Sequence, residues 1–279
     1  MEIVIKLSPV HHDTWRNMLD YIAKKMTASY EDKFILKGGT ALMLGYNLPR
    51  ISIDLDYDTL TEINISDILS YHLQNFIKTY FKINQEISTY VTIGTSPISN
   101  RYRVHTRCTD KTLKIDSTAL RIDVSRRSFV KNYVNDGCYQ NKIYMYNLPR
   151  TIDLKLNAIT NLYFGSSREE IRDYFDAEYI FRTYIDAVSI PQITAFKNLL
   201  DSKNKTRLIE KFEAESMRGD NIHIFKEVNI KQLIDNLYRN VETAYLKIDN
   251  TITKKKVDEL PAGLSSDDSP NGDPPKPRM

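Results

Sequence analysis

One stretch constrains this chain more than any other: Lys37 to Asp58, KGGTALMLGYNLPRISIDLDYD. Phe34, Ile35 and Leu36 read as a buried strand that ends at Gly38-Gly39-Thr40, and Ala41 to Tyr46 reads as a helix opening there. Two glycines at a strand-to-helix turn let backbone N–H groups approach an anion, and a helix N-terminus favours negative charge. Ile51, Ile53, Leu55 and Tyr57 then alternate with Ser52, Asp54, Asp56 and Asp58. On a strand, that period of two puts Asp54 and Asp56 on one face, about 7 Å apart. Parallel carboxylates at this spacing repel each other unless a cation lies between them, and Mg²⁺ is the natural guest. A phosphate cradle beside a divalent-metal pair is the kit for nucleotidyl transfer from an NTP.

Neither half of the stretch is specific alone. Paired glycines are common in turns, and Asp-x-Asp is common on solvated strand faces. Their order, gap and strand–helix–strand setting together carry the reading. The stretch resembles the nucleotidyltransferases of the DNA polymerase β-like superfamily, in which Gly-Gly/Ser precedes Asp-x-Asp. More closely, KGGTAL followed by LPRISIDLDYD is similar to the abortive-infection toxins of the AbiEii/AbiGii type, with the MenT toxins as more distant relatives. The pattern G-x-x-x-x-G-K-[ST] is absent, which argues against a P-loop NTPase.

Composition sets the outer bounds. With 279 residues, 41% of them hydrophobic and 27% charged, the chain can hold one large globular domain or two ordinary ones. No apolar run approaches the ~20 residues of a membrane span, and MEIVIKLSPVHHD is no signal peptide, so a cytoplasmic, non-membrane protein is expected. Cys108 and Cys138 form no C-x-x-C, which supports neither a zinc site nor a disulfide framework. Net charge is only +3, but nine Lys/Arg stand against three Asp between Arg101 and Lys131. That excess suits a phosphate-binding face or, equally, a solvated sheet face.

Along the chain, Val10, Trp15, Met18, Leu19, Ile22 and Met26 mark a first helix over residues 10–29. His11 and His12 at its start read as exposed. Ser66 reads as the cap of a second helix bearing Leu69, Leu73, Phe76, Ile77 and Tyr80. Within that helix His72 reads as core-flanking or surface. Short β-rich runs follow at Ser88 to Ile93, Tyr102 to Cys108, Thr112 to Ile115, Ala119 to Ser125 and Lys142 to Tyr146. Gly94, Ser96-Pro97 and Asn135-Asp136-Gly137 read as the turns between them, and all five runs as the rest of one mixed sheet. From Leu148 the pattern becomes helical, with a capping box at Ser167-x-x-Glu170 and a last long helix through Leu233, Leu237, Val241 and Tyr245. The expected fold is α/β (α+β): a nucleotidyltransferase-like mixed sheet with flanking helices over 1–147, a helical domain over 148–257, and a disordered tail over 258–279.

Leu120, Ile122 and Val124 share one strand face, and Arg121, Asp123 and Ser125 the other. The superfamily resemblance implies a third carboxylate from a strand beside the Asp-x-Asp strand. Asp123 is the candidate, ahead of Asp110 and Asp116. A second constellation, Lys155 followed by Arg168 and Arg172-Asp173-x-x-Asp176, resembles the second signature of the AbiEii type. Asp173 and Asp176 share a helix face, and Arg172 and Asp176, at i and i+4, are placed to pair. A plain surface salt bridge is the bland alternative.

The resemblance implies the following site. Asp54, Asp56 and Asp123 bind two Mg²⁺ (or Mn²⁺) ions. Gly38, Gly39 and Thr40 hold the β/γ-phosphates, with Ser52 beside them, and Lys155 and Arg50 supply positive charge to the nucleotide. Asp173 orients nucleotide or catalytic groups. Expected partners are an NTP, an RNA acceptor (the 3′ end of tRNA) and a separately encoded antitoxin acting without tight binding. The alternatives are transfer to a protein hydroxyl or a small molecule, or a catalytically silent nucleotide- or RNA-binding module.

Overall fold

Apolar–polar alternation in Asp54–Thr59 (β3) and Leu120–Ser125 (β7) builds the centre of the sheet, because each strand buries one row of side chains. The structure is a computed structural model that describes residues 3–108, 113–132, 134–161, 168–219 and 221–258. Of the expected tail over 258–279, Asp258 instead ends the last helix, and residues 259–279 lie outside the described residues.

Seven strands form the main sheet. In chain order they are Phe34–Lys37 (β2), β3, Ile87–Ser96 (β4), Ser99–Cys108 (β5), β7, Gly137–Gln140 (β8) and Ile143–Tyr146 (β9). Across the sheet they run β4-β5-β7-β3-β2-β9-β8. The pairs β3–β7 and β2–β9 are parallel and the other four antiparallel, so the sheet is mixed. Leu55, Tyr57, Tyr102, Val104, Leu120, Ile122 and Val124 are buried in the common core. Helices His12–Tyr30 (α1) and Ser66–Phe81 (α3) pack on that face with Trp15, Met18, Leu19, Ile22, Leu73, Phe76 and Ile77. Each such side chain contributes roughly 1.5–3 kcal/mol on burial, so this face fixes the fold and leaves the opposite one for chemistry.

Several local expectations need correction. Ile3–Leu7 (β1), unmarked in the sequence reading, pairs in parallel with Leu113–Ser117 (β6) in a separate two-stranded sheet, so the run read at Thr112 to Ile115 does not join the main one from Leu113 on, and Thr112 lies outside the described residues. Gly94 lies inside β4 rather than in a turn, on its exposed outer half where no side chain is needed for packing. Ser66 is not the cap of α3: its backbone N–H and its hydroxyl both donate to the Asn64 side chain. Tyr80, at 42% exposure, is off the buried stripe of α3, and Val10, at 49%, precedes α1 and is off its stripe. Ile51 and Ile53 are buried but precede β3, which starts at Asp54.

From Leu148 onward the described residues are helical or irregular. Leu148–Thr160 (α4) is entered through Asn147, whose side chain accepts the Arg150 N–H, and Pro149 occupies the first turn. Ile171–Thr183 (α5) follows, with Glu170 at its N-cap. The proposed capping residue Ser167 lies outside the described residues. Ile190–Asp201 (α6), Lys205–Ser216 (α7), Asn221–Phe225 (α8) and Ile230–Asp258 (α9) complete the chain. Both α5 and α6 pack on α9, and α4 packs on α5 and on the short helix Gly38–Gly45 (α2). Through α2 and α4 the helical part meets the glycine turn.

Candidate active site

The glycine turn is held from both sides. Gly38 has φ +74°, and a Cβ there would sit 2.9 Å from Asp56 Oδ2. Only glycine takes this conformation and this close approach together. A Cβ on Gly39 would sit 2.9 Å from Arg50 Nη2 and 3.2 Å from Ser52 Oγ. The turn is therefore wedged between Asp56 on one side and Arg50 with Ser52 on the other. α2 begins at Gly38, earlier than its sequence suggests.

The parallel register of β3 and β7 places Asp54 opposite Arg121, Asp56 opposite Asp123 and Asp58 opposite Ser125. Opposed residues on neighbouring strands have Cβ atoms roughly 5 Å apart. Asp54, Asp56 and Asp123 thus occupy one sheet face beside the Gly38 turn. Asp116 lies on β6, outside the main sheet, where it meets His11, and Asp110 is outside the described residues.

Positive groups surround these acids. Arg121 Nε is 2.6 Å from Asp54 Oδ1. Arg101 reaches Asp123 through Nε at 2.7 Å and Nη2 at 3.1 Å. Burial raises the Asp54 carboxyl above its ordinary range against the opposing charges of Arg121 and Arg172. Asp56 is pushed up to about 6, first by burial and then by Asp54 and Asp123, with Lys37 and Lys155 pulling the other way. Two neighbouring carboxylates that resist ionising together mark a place where added positive charge is favoured.

Other predicted residues are engaged by the protein itself. The Thr40 hydroxyl is buried and donates to the Asp54 carbonyl, tying α2 to β3. Arg50 is buried and grips Asp176 with two hydrogen bonds of 2.7 Å, while its Nη1 donates to its neighbour's carbonyl, Ile51 O. The expected Arg172–Asp176 pair does not form: Arg172 meets Glu170, and Asp176 is taken by Arg50 and by Lys155 at 2.6 Å. Burial alone would raise Asp176, but these two cations hold it below the ordinary carboxylate range. Lys155 also lies 3.4 Å from Asp173, which has Arg168 at 3.7 Å. Asp173 and Asp176 are both buried, so the second constellation is an interior network joined to the cradle through Arg50, rather than a surface salt bridge.

Three cations at the site were not paired with these acids in the sequence reading. Lys37 opposes Asp56 in register and bonds Asp58, which also accepts from the Tyr146 hydroxyl. Arg101 and Arg121 are the other two. A signal existed, since Arg121 alternates with Asp123 and Lys37 directly precedes the glycines, but their partners lie on other strands. His11, His12, His72 and His223 stand apart from these acids. His11 and His12 line a cavity of about 460 Å³ with His223, separate from the carboxylate face, and His72 is buried.

A mixed sheet with three carboxylates gathered beside a glycine turn is the architecture of a nucleotidyltransferase. The family model described as nucleotidyl transferase AbiEii toxin, type IV toxin–antitoxin system, matches residues 22–260, and the chain belongs to that family. It is accordingly a nucleotidyltransferase toxin. Two solved structures share the fold. A candidate nucleotidyltransferase from H. pylori is 21% identical, with 86% of this chain and 96% of that one covered, at a TM-score of 0.62. JHP933 from Helicobacter pylori is 20% identical, with 88% and 95% covered, at 0.61. No curated protein matches the chain. Among the described residues, no helix is long and apolar enough to cross a membrane.

Proposed function

We propose that this chain transfers the NMP part of an NTP to the 3′-hydroxyl of an RNA, with tRNA as the acceptor, and arrests growth by doing so. The observation that carries the reading is the register that sets Asp123 opposite Asp56 on the face shared with Asp54 and Gly38. A silent binding module would have no use for mutually repelling acids at this spot.

The donor set suits Mg²⁺, with Mn²⁺ as the alternative, because it consists of hard carboxylate oxygens. Among the described residues no three acids or other ligands already converge on one point, since Asp54 faces Arg121 and Asp123 faces Arg101. The two arginines stand where positive charge is wanted. Asp54, Asp56 and Asp123 would hold the metal, which when bound neutralises the triphosphate and lowers the pKa of the acceptor hydroxyl.

The chain's own groups do the rest. The N–H groups at the start of α2 receive the phosphates. Lys155 sets positive charge where charge develops, and Asp173 holds Lys155 in place. Arg50 and Ser52 support the cradle from behind, and Thr40 fixes it to β3. Asp123 accepts the proton of the acceptor hydroxyl. The new bond joins that oxygen to the α-phosphorus, and the bond to pyrophosphate breaks. A separately encoded antitoxin that opposes the reaction without binding the toxin tightly completes the proposal.

The test supplies each α-labelled NTP with Mg²⁺, total RNA and extract protein. A tRNA-sized, nuclease-sensitive band is expected with the wild type. It is absent with Asp54→Ala/Asp56→Ala and with RNA whose 3′ end has been oxidised by periodate. A labelled protein band in place of RNA would overturn the acceptor assignment.

A further inference from the structure

The carboxylate face does not end at Asp123. Cross-strand register extends it outward through β5 to the edge strand β4. Asp123 opposes Arg101, which opposes Gly94; Arg121 opposes Arg103, which opposes Thr92; and His105 opposes Tyr90. Residues two apart on a strand share a face, so Arg101, Arg103, His105 and Arg107 stand in one row on the side of the catalytic acids. The other face of these strands is spoken for: Tyr102 and Val104 are buried, and Gln74 and Ser70 of α3 bond Thr89.

Three properties of this row point to one occupant. Its charge is one-sided, for the twenty residues of β4 and β5 contain three arginines and no Asp or Glu. It carries an aromatic platform, because the Tyr90 and His105 rings stack with centroids 4.7 Å apart and planes 8° from parallel, while Tyr90 stays 52% exposed. It is also continuous with the chemistry, since Arg101 bonds Asp123 directly. Phosphates match the arginines, and an unpaired base matches a flat exposed ring.

We propose that the outer face of the β4–β5 hairpin is the track for the single-stranded 3′ end of the RNA acceptor. Arg103 and Arg107 hold its phosphates and Tyr90, backed by His105, stacks one of its bases. This rests on the RNA-acceptor reading above and adds where the acceptor lies. Residues along β5 on this face repeat about every 7 Å, so the row from Arg107 to Arg101 guides several nucleotides toward Asp123. Arg101, engaged with Asp123, sits at the end of the track, where an arriving phosphate competes for it.

The test measures anisotropy of a short 5′-fluorescein single-stranded RNA with a free 3′ end, over a range of salt, using the full chain. NTP affinity is read in parallel. Tyr90→Ala is expected to weaken RNA binding by about tenfold. Arg103→Ala/Arg107→Ala is expected to lower the slope of log K against log salt by roughly 1.4, for two phosphate contacts on a single strand. These side chains are exposed, so melting curves should match the wild type. If the wild type binds RNA and both variants bind it equally well with the same slope, the track is wrong and the acceptor reading stands. If the wild type binds no RNA, both fall together.

Discussion

Asp56 concentrates the electrostatic problem of this protein in one side chain. It lies against the backbone of Gly38, opposite Asp123 and two residues from Asp54. Its carboxyl is raised to about 6, above the unfolded value of about 3.9. Between those two values the native state binds more protons than the unfolded chain, so stability is favoured below about pH 4 and lost as pH rises through 6. After discounting for its partly open edge, the cost near neutral pH is on the order of 2 kcal/mol. Asp56→Asn removes it. Without metal, the variant should melt roughly 4–8 °C above the wild type at pH 7.5, with the gap closing toward pH 4. Its transferase activity should fall by orders of magnitude. Differential scanning fluorimetry in EDTA across pH checks this, and a gap that does not change with pH would contradict it.

At the scale of elements, the junction between the glycine turn and the helical part depends on Arg50, Asp176 and Lys155. Arg50 comes from the link between α2 and β3, Asp176 from α5 and Lys155 from α4. Removing one partner of a buried ion pair costs more than the pair contributes, because the remaining charge is stranded. Arg50→Ala should therefore destabilise the chain by about 3 kcal/mol, visible as a lower midpoint in urea denaturation. An unchanged midpoint would mean that Lys155 alone satisfies Asp176. This element also shows why the sequence misleads locally. Arg172 and Asp176 obey the i, i+4 rule for a helix pair, but the partner that Asp176 takes is 126 residues away in the chain. A spacing rule sees one helix and cannot see what packs on it.

For the whole molecule, the strands β3 and β7, the glycine turn and the helical second half followed from patterns that are local in sequence, and the place of Asp123 beside Asp56 from the family resemblance. Alternation set β3 and β7, glycine pairing set the turn, and helical period set the elements after Leu148. What stayed hidden was pairing between distant segments: β1 with β6, Arg101 with Asp123, Arg121 with Asp54. Short strands such as β1 carry too few residues to declare their partner, and an arginine's charge does not say which carboxylate it meets. The site is therefore partly written in motifs and partly assembled by the sheet.

The most direct measurement uses one NTP labelled at either the α- or the γ-phosphate, with Mg²⁺, RNA and the wild-type chain or Asp54→Ala/Asp56→Ala. Nucleotidyl transfer at this carboxylate face predicts that α-label enters RNA, that γ-label leaves only as pyrophosphate, and that the double variant does neither. Transfer of γ-label to the acceptor, or α-labelling undiminished in the variant, would contradict it.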